Sequence, residues 1–177
     1  MHMTLMQRIR AYHAALAILT ILAFLSGDFG LVHDWLGYGV ALVIGFRLLW
    51  ALFNPRQLGL AKFYPHFDGL RFDNAVRHPA VSRALILGVA LSLVGATATG
   101  IALDGGAAIG LADLSLVPDA LANGEDGRNG RDGNDALEGL HEFLSNLTIF
   151  FVLCHAGYLL LFKWPLARFM LFRDRRR

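Results

Sequence analysis

Charged side chains are scarce in this chain, and cysteine is almost absent. Only 17% of the 177 residues are charged and 55% are apolar, whereas about 25% of the residues in a soluble domain are charged. The single cysteine, Cys154, excludes an internal disulfide and therefore gives no information about the redox compartment. This composition is typical of an integral membrane protein.

Acidic residues are missing from the interior of four long apolar segments. We predict that these segments form an all-α transmembrane four-helix bundle, and that residues 1–177 make one integral-membrane domain. The first segment is followed by no small-residue cleavage site, so we interpret it as a retained membrane helix and not as a signal peptide. The predicted spans lie at about 11–27, 35–53, 84–103 and 143–162.

The connections between the segments differ in composition. The connection 54–82 contains Pro55, Pro65 and Pro79. The connection 104–138 is long and acidic, and its centre at 123–135 is so rich in Gly, Asn and Asp that we predict irregular structure there.

Basic residues fall on one side of this topology. The other side holds only Arg128 and Arg131, both in the loop 104–138. Because cytoplasmic connections carry an excess of Lys and Arg, we predict that both termini are cytoplasmic and that the acidic loop faces outward. The sequence pI of about 9.0 is thus an orientation signal, and we expect no nucleic-acid partner. The basic residues on the predicted inner side are Arg8, Arg10, Arg56, Lys62, Arg71, Arg77, Arg83, Lys163, Arg168, Arg173, Arg175, Arg176 and Arg177.

Four histidines fall in or beside the predicted spans at two depths. His141 and His155 are fourteen residues apart on one helix, so they share a face and stand roughly 21 Å apart. The topology puts His13 at the same inner depth as His155, and His33 at the same outer depth as His141. Imidazole is a common haem iron ligand, and a haem accepts two axial ligands. Two haem groups, each between two imidazoles, would use all four histidines.

Other readings of these histidines remain open. A lone histidine at a membrane interface is usually an amphipathic anchor, although two depth-matched pairs argue against chance. His2, His66 and His78 lie in predicted cytoplasmic segments, where we expect solvated side chains. The chain has no C-x-x-C-H motif, so any haem would be of the non-covalent b type. Glycines recur in the second, third and fourth spans, where they permit either a flat cofactor or close helix packing.

Arg47 is the only charge deep within the second span. It follows His33 by fourteen residues and therefore lies on nearly the same helix face. An arginine inside a membrane needs an anionic partner, and a propionate of the inner haem is one candidate. The alternative is that its long side chain reaches the cytoplasmic headgroups.

Five fragments give the chain its resemblance to a known family. The chain resembles the prokaryotic cytochrome b561 family of four-helix di-haem cytochromes, and the related cytochrome b subunits that anchor hydrogenases and other dehydrogenases. The fragments are RIRAYH at 8–13, HDWLGY at 33–38, RLLW at 47–50, HEFLSNL at 141–147 and LCH at 153–155.

The resemblance implies a function and a location. It implies that His13 and His155 ligate an inner haem b, that His33 and His141 ligate an outer one, and that the chain lies in the bacterial inner membrane. It further implies electron exchange with a membrane quinone such as ubiquinone, and thus quinone oxidoreductase activity. The outer partner would be a periplasmic redox protein such as a cytochrome c, drawn by the acidic loop.

Two rival functions are compatible with parts of the sequence. The chain could be the haem-bearing membrane anchor of a larger dehydrogenase or hydrogenase complex, with no substrate of its own. A histidine-lined metal transporter is a second rival, but it would need intramembrane carboxylates to neutralise the cation, and the spans hold none at depth.

Overall fold

The computed structural model describes residues 5–53, 79–110 and 129–170. These residues form five α-helices and two short 3-10 helices, with no β-strand among them. The helices are α1 (Leu5–Leu25), α2 (Leu31–Phe53), α3 (Pro79–Asp104), α4 (Asn129–Phe162) and α5 (Trp164–Met170), and the 3-10 helices are Gly27–Phe29 and Ala107–Ile109. His2, His66, His78, residues 54–78, residues 111–128 of the connection 104–138 and the arginines at 173–177 lie outside the described residues.

Helices α1 to α4 are each long and apolar enough to cross a membrane. In a bilayer core, a helix satisfies its backbone hydrogen bonds internally, which explains why four apolar segments adopt this one structure. Large apolar side chains lie outward on all four helices, with Leu42 74%, Phe53 80% and Leu161 79% exposed. Such a surface would aggregate in water and is suited to lipid. The chain is therefore a multi-pass membrane protein.

Each of the four predicted spans falls wholly or mostly within one described α-helix, but the helix ends differ from the predicted ends. The clearest error concerns α4, which begins at Asn129, inside the segment 104–138 that we predicted to be a loop with an irregular centre. Glycine and asparagine weaken a helix by about 1 kcal/mol each or less, but extending an existing helix avoids the cost of nucleation. The long apolar segment that follows therefore carries this polar stretch into its own helix.

Each of the two described turns is closed by local hydrogen bonds. After α1, the Ser26 hydroxyl donates to the Ala23 carbonyl at 3.0 Å, and Gly30, with φ of 47°, allows α2 to begin at the next residue. After α3, the Asp104 carboxylate accepts hydrogen bonds from the Ala108 amide at 3.2 and 3.3 Å. The short connection between Leu25 and Leu31 makes α1 and α2 antiparallel neighbours.

Close packing in the bundle relies on small residues. Helix α3 packs most extensively against α4, and α1 against α2. An added Cβ would lie 2.8 Å from the Phe151 ring at Gly88, and 3.0 Å from Leu144 Cδ1 at Gly95. Part of the glycine pattern in the third span is thus explained by helix packing. By contrast, α4 is not among the close neighbours of α1 or α2.

Candidate histidine site

His33 and His141 meet at one end of the bundle, which we call the outer end. His33 lies near the start of α2 and His141 lies in α4, with 5.9 Å between the centres of their rings. The two ring planes are nearly perpendicular, at 83°. The chain thus brings together two histidines that are far apart in sequence and that we predicted to share the outer depth.

Each outer imidazole is oriented by a backbone carbonyl on a neighbouring helix. His33 Nδ1 lies 2.9 Å from the Ala23 carbonyl oxygen, and His141 Nδ1 lies 2.9 Å from the Ala96 carbonyl oxygen. The Thr99 hydroxyl lies 3.1 Å from the same His141 nitrogen. A carbonyl only accepts hydrogen bonds, so Nδ1 carries the proton in both rings and Nε2 keeps its lone pair for another partner.

Gly100 makes room for the His141 ring. A Cβ at this position would lie 2.9 Å from His141 Cε1, closer than a side chain tolerates. Beside the two rings lies a cavity of about 450 Å³, lined by apolar side chains such as Leu93 and Ile149. This volume falls in the usual range of about 300–1,000 Å³ for ligand pockets.

Carboxylates surround this cavity. They come from the turn after α1 and from α2, α3 and α4, so they converge only in the folded bundle. The Asp104 carboxylate also accepts a hydrogen bond of 2.6 Å from the Tyr38 hydroxyl, which ties α3 to α2 at the outer end. The sequence did not reveal this contact between residues 66 positions apart, although Asp104 is the first acidic residue after its span. The lining carboxylates are those of Asp28, Asp34, Asp104, Glu138 and Glu142.

His13 and His155 lie toward the opposite end, which we call the inner end. The His155 side chain is half-buried on α4, whereas the His13 side chain on α1 is exposed. The two imidazoles are close enough to interact electrostatically. His155 Nδ1 is buried and has no hydrogen-bond partner among the described residues.

Arg47 lies in the inner half of α2 and is half-buried. Next to it in sequence, Phe46 stacks on Tyr12 of α1 with ring centres 5.4 Å apart. Phe46 also contacts Trp50, at 6.0 Å. An aromatic layer therefore joins α1 and α2 at this depth. The predicted anionic partner of Arg47 stays a prediction.

Two polar residues at the inner end were missed by the sequence reasoning. Arg10 is only 5% exposed and Tyr158 only 7% exposed. The Arg10 guanidinium carbon lies 4.6 Å from the centre of the Phe169 ring on α5. The available signal was spacing, since Arg10 precedes His13 by three residues and Tyr158 follows His155 by three.

Four spanning helices that carry histidines at two depths are typical of membrane-bound b-type cytochromes. The chain belongs to the prokaryotic cytochrome b561 family, whose sequence profile matches residues 6–173. Cytochromes of this family normally bind haem b. Because the chain belongs to this family and has membrane-spanning helices, it is a membrane cytochrome of electron transport. No curated protein and no solved structure matched the chain.

Proposed function

We propose that the protein transfers electrons across the membrane through two haem b groups, each held between two histidines. His33 and His141 would ligate the outer haem, and His13 and His155 the inner one. The spacing of the outer imidazoles carries this proposal. Bonds of roughly 2 Å from a metal to each imidazole nitrogen place two opposed ring centres about 6 Å apart, close to the 5.9 Å found between His33 and His141.

Three further features of the outer site fit a haem. The Nδ1 hydrogen bonds of His33 and His141 leave Nε2 as the nitrogen able to bind iron. Gly100 leaves space for the His141 ring, and the adjoining cavity offers mainly apolar walls to a flat cofactor. The loose contact of α4 with α1 and α2 would leave room between the helices that carry each histidine pair.

The haem groups would supply one-electron redox chemistry. The side chains of the protein would determine their ligation, their reduction potentials and their spacing. His33 with His141, and His13 with His155, would hold the two haems, and this pairing of imidazoles would favour electron transfer over oxygen chemistry. The hydrogen bonds at Nδ1 would make His33 and His141 more basic ligands and would thereby stabilise oxidised iron. His141 and His155 on α4 space the two sites by roughly 21 Å along one helix axis. Electrons would therefore pass from one membrane face to the other within a single bundle.

The proposed partners follow from the family and from the outer surface. We propose that a membrane quinone such as ubiquinone exchanges electrons with the protein, and that a soluble cationic protein such as a cytochrome c docks at the outer end. The carboxylates around the outer cavity would attract a basic partner and raise the rate of encounter. We also propose the bacterial inner membrane as the location, with both termini in the cytoplasm.

Haem analysis of the full-length protein tests this function. A pyridine haemochrome assay should give two b-type haems per chain, and one haem or none would contradict it. His33→Ala and His141→Ala should each remove the same haem in a redox titration, and His13→Ala and His155→Ala should each remove the other. His78→Ala, which changes a histidine outside the proposed pairs, should keep both haems.

A further inference from the structure

Two polar side chains are buried one helical turn beyond the inner histidines. Arg10 precedes His13 on α1, and Tyr158 follows His155 on α4, in each case by three residues, a rise of about 4.5 Å. His33 contacts Ala23 near the opposite end of α1, and His141 precedes His155 on α4. Arg10 and Tyr158 therefore both lie farther from the outer histidine pair than the inner histidines do, and toward the same end of the bundle.

Burial of these two groups is unusual in this protein. Among the described residues, the buried hydroxyls of Ser26, Ser92 and Thr148 return a hydrogen bond to a carbonyl three or four residues earlier. Besides Tyr158, only the Thr20 hydroxyl is buried without a partner there. Tyrosine is too long for this bond, and the buried Tyr158 hydroxyl has no hydrogen-bond partner among the described residues. A buried hydroxyl without a partner is costly, so such a group normally donates to something.

Arg10 adds a permanent positive charge to this end. Guanidinium groups do not lose their proton in proteins, and a buried one is stabilised by anions. The Arg10 guanidinium carbon lies over the Phe169 ring. The N–H donors of a guanidinium lie in the plane of the group, in the fork that binds a carboxylate through two oxygens.

We propose that Arg10 and Tyr158 form a carboxylate-binding site for a propionate of the inner haem. This inference rests on the proposed function, because it requires a haem between His13 and His155. Propionates are the anionic groups of haem b, and they lie at one edge of the ring. Arg10 and Tyr158 each lie one helical turn from a proposed haem ligand, on two different helices. They are therefore placed to donate hydrogen bonds to a carboxylate at that edge. Arg10 is also more deeply buried than Arg47, which the sequence suggested for this role.

Helix α5 completes the site. It follows α4 after Lys163 and packs against both α4 and α1. Phe169 of α5 covers Arg10, and Tyr158 packs on Phe162 at the end of α4, with ring centres 5.5 Å apart. The segment that ends the described chain thus shields the proposed carboxylate site from the surroundings.

Redox titration of full-length variants that contain both haems tests the proposal. Tyr158→Phe and Arg10→Leu should each lower the midpoint potential of the inner haem, because a propionate with fewer donors stabilises oxidised iron more strongly. The outer potential should not change, and Arg10→Lys should restore part of the Arg10→Leu loss. The propionate carboxylate band in the redox-difference infrared spectrum should also shift in Tyr158→Phe.

Matched variants separate this role from packing. Arg8→Leu removes an exposed arginine two residues away, and Tyr12→Phe removes a half-exposed hydroxyl on the same helix; both should leave the inner potential unchanged. Phe169→Leu removes the ring over Arg10 but keeps its charge, and it should shift the inner potential less than Arg10→Leu does. An equal shift in Phe169→Leu would overturn the proposal in favour of a packing role.

The remaining outcomes are also decisive. An inner potential and a carboxylate band unchanged in Tyr158→Phe would overturn the proposal, as would a larger fall in Arg47→Leu than in Arg10→Leu. If Arg10→Leu does not accumulate, Tyr158→Phe still tests the proposal, because it removes only one oxygen atom and keeps the aromatic ring. A colourless wild-type protein would instead contradict the proposed function itself.

Discussion

Gly100 of α3 lies directly against the imidazole of His141 on α4. A Cβ at Gly100 would come within 2.9 Å of His141 Cε1 and 3.3 Å of its Nδ1. The hydrogen bonds from His141 to Ala96 and Thr99 hold the ring in that position. The ring therefore cannot yield to a larger residue without losing the bonds that orient it.

We expect Gly100→Ala to displace His141 and to reduce binding of the outer haem. The haem content per chain should fall from two toward one, while the inner haem keeps its spectrum. Gly45→Ala is the matched control, because a Cβ at Gly45 would have no neighbour within 4 Å. Full haem content in Gly100→Ala would mean that the His141 ring is free to move.

Thr99→Val should raise the midpoint potential of the outer haem. The Thr99 hydroxyl accepts from His141 Nδ1, which makes the imidazole a stronger donor to oxidised iron. Losing one such bond should change the potential by roughly 40 mV, the equivalent of about 1 kcal/mol for one electron. Thr97→Val serves as the control, because the Thr97 hydroxyl donates to the Leu93 carbonyl of its own helix. Equal potentials in the two variants would contradict the prediction.

Tyr38→Phe should weaken the outer end of the bundle. The Tyr38 hydroxyl donates to the Asp104 carboxylate at 2.6 Å, and a hydrogen bond to a charged group contributes about 1.5–3 kcal/mol. Thermal release of haem from the detergent-solubilised variant, followed by absorbance, should begin at a lower temperature than in the wild type. Tyr12→Phe should behave like the wild type, and an unshifted release curve for Tyr38→Phe would show that this bond contributes nothing.

Glu138→Gln combined with Glu142→Gln should slow electron exchange with a basic redox protein at low salt. Both residues line the outer cavity and are exposed, so their charges can steer a cationic partner. The difference from the wild type should vanish at high salt, since exposed charges are screened over about 8–10 Å. Asp135→Asn removes an exposed acidic residue of α4 that does not line the cavity, and its effect should be smaller. Rates that are the same in all variants would exclude docking at this surface.

Arg47→Leu should lower the inner midpoint potential, but by less than Arg10→Leu. A charge in a partly solvated position acts through an effective dielectric constant near 20, so the effect should be on the order of 1 kcal/mol. Redox titration of both variants in the same membrane mimetic gives the comparison. A shift in the outer haem alone would instead favour the interpretation in which Arg47 reaches the headgroups.

The number of membrane-spanning helices followed from the sequence, but the short helix α5 and the helix ends did not. An apolar segment of about twenty residues has to form a helix in lipid, which is why all four spans were found. Helix ends depend on the balance between helix extension and the helix preference of each residue, which hydropathy does not report. The start of α4 at Asn129 is one example, because helix extension outweighs the low helix preference of the Gly- and Asn-rich segment.

The histidine depths were predictable for a similar reason. Helix rise and alternating topology fix the level of each ring, so the sequence predicts His33 and His141 at one level. The groups that orient the rings were not predictable. The Ala23 and Ala96 carbonyls belong to the backbone, so no side chain in the sequence indicates their role. The sequence likewise does not distinguish Arg10 from the other basic residues of the predicted inner side, because only the structure shows that it is buried.

Both outer histidines are oriented by helices other than their own. Helix α1 provides the carbonyl for His33 of α2, and α3 provides the carbonyl and hydroxyl for His141 of α4. An isolated helix hairpin would therefore set one ring but never both. We therefore expect α1 to pair with α2, and α3 with α4, before the proposed outer haem binds.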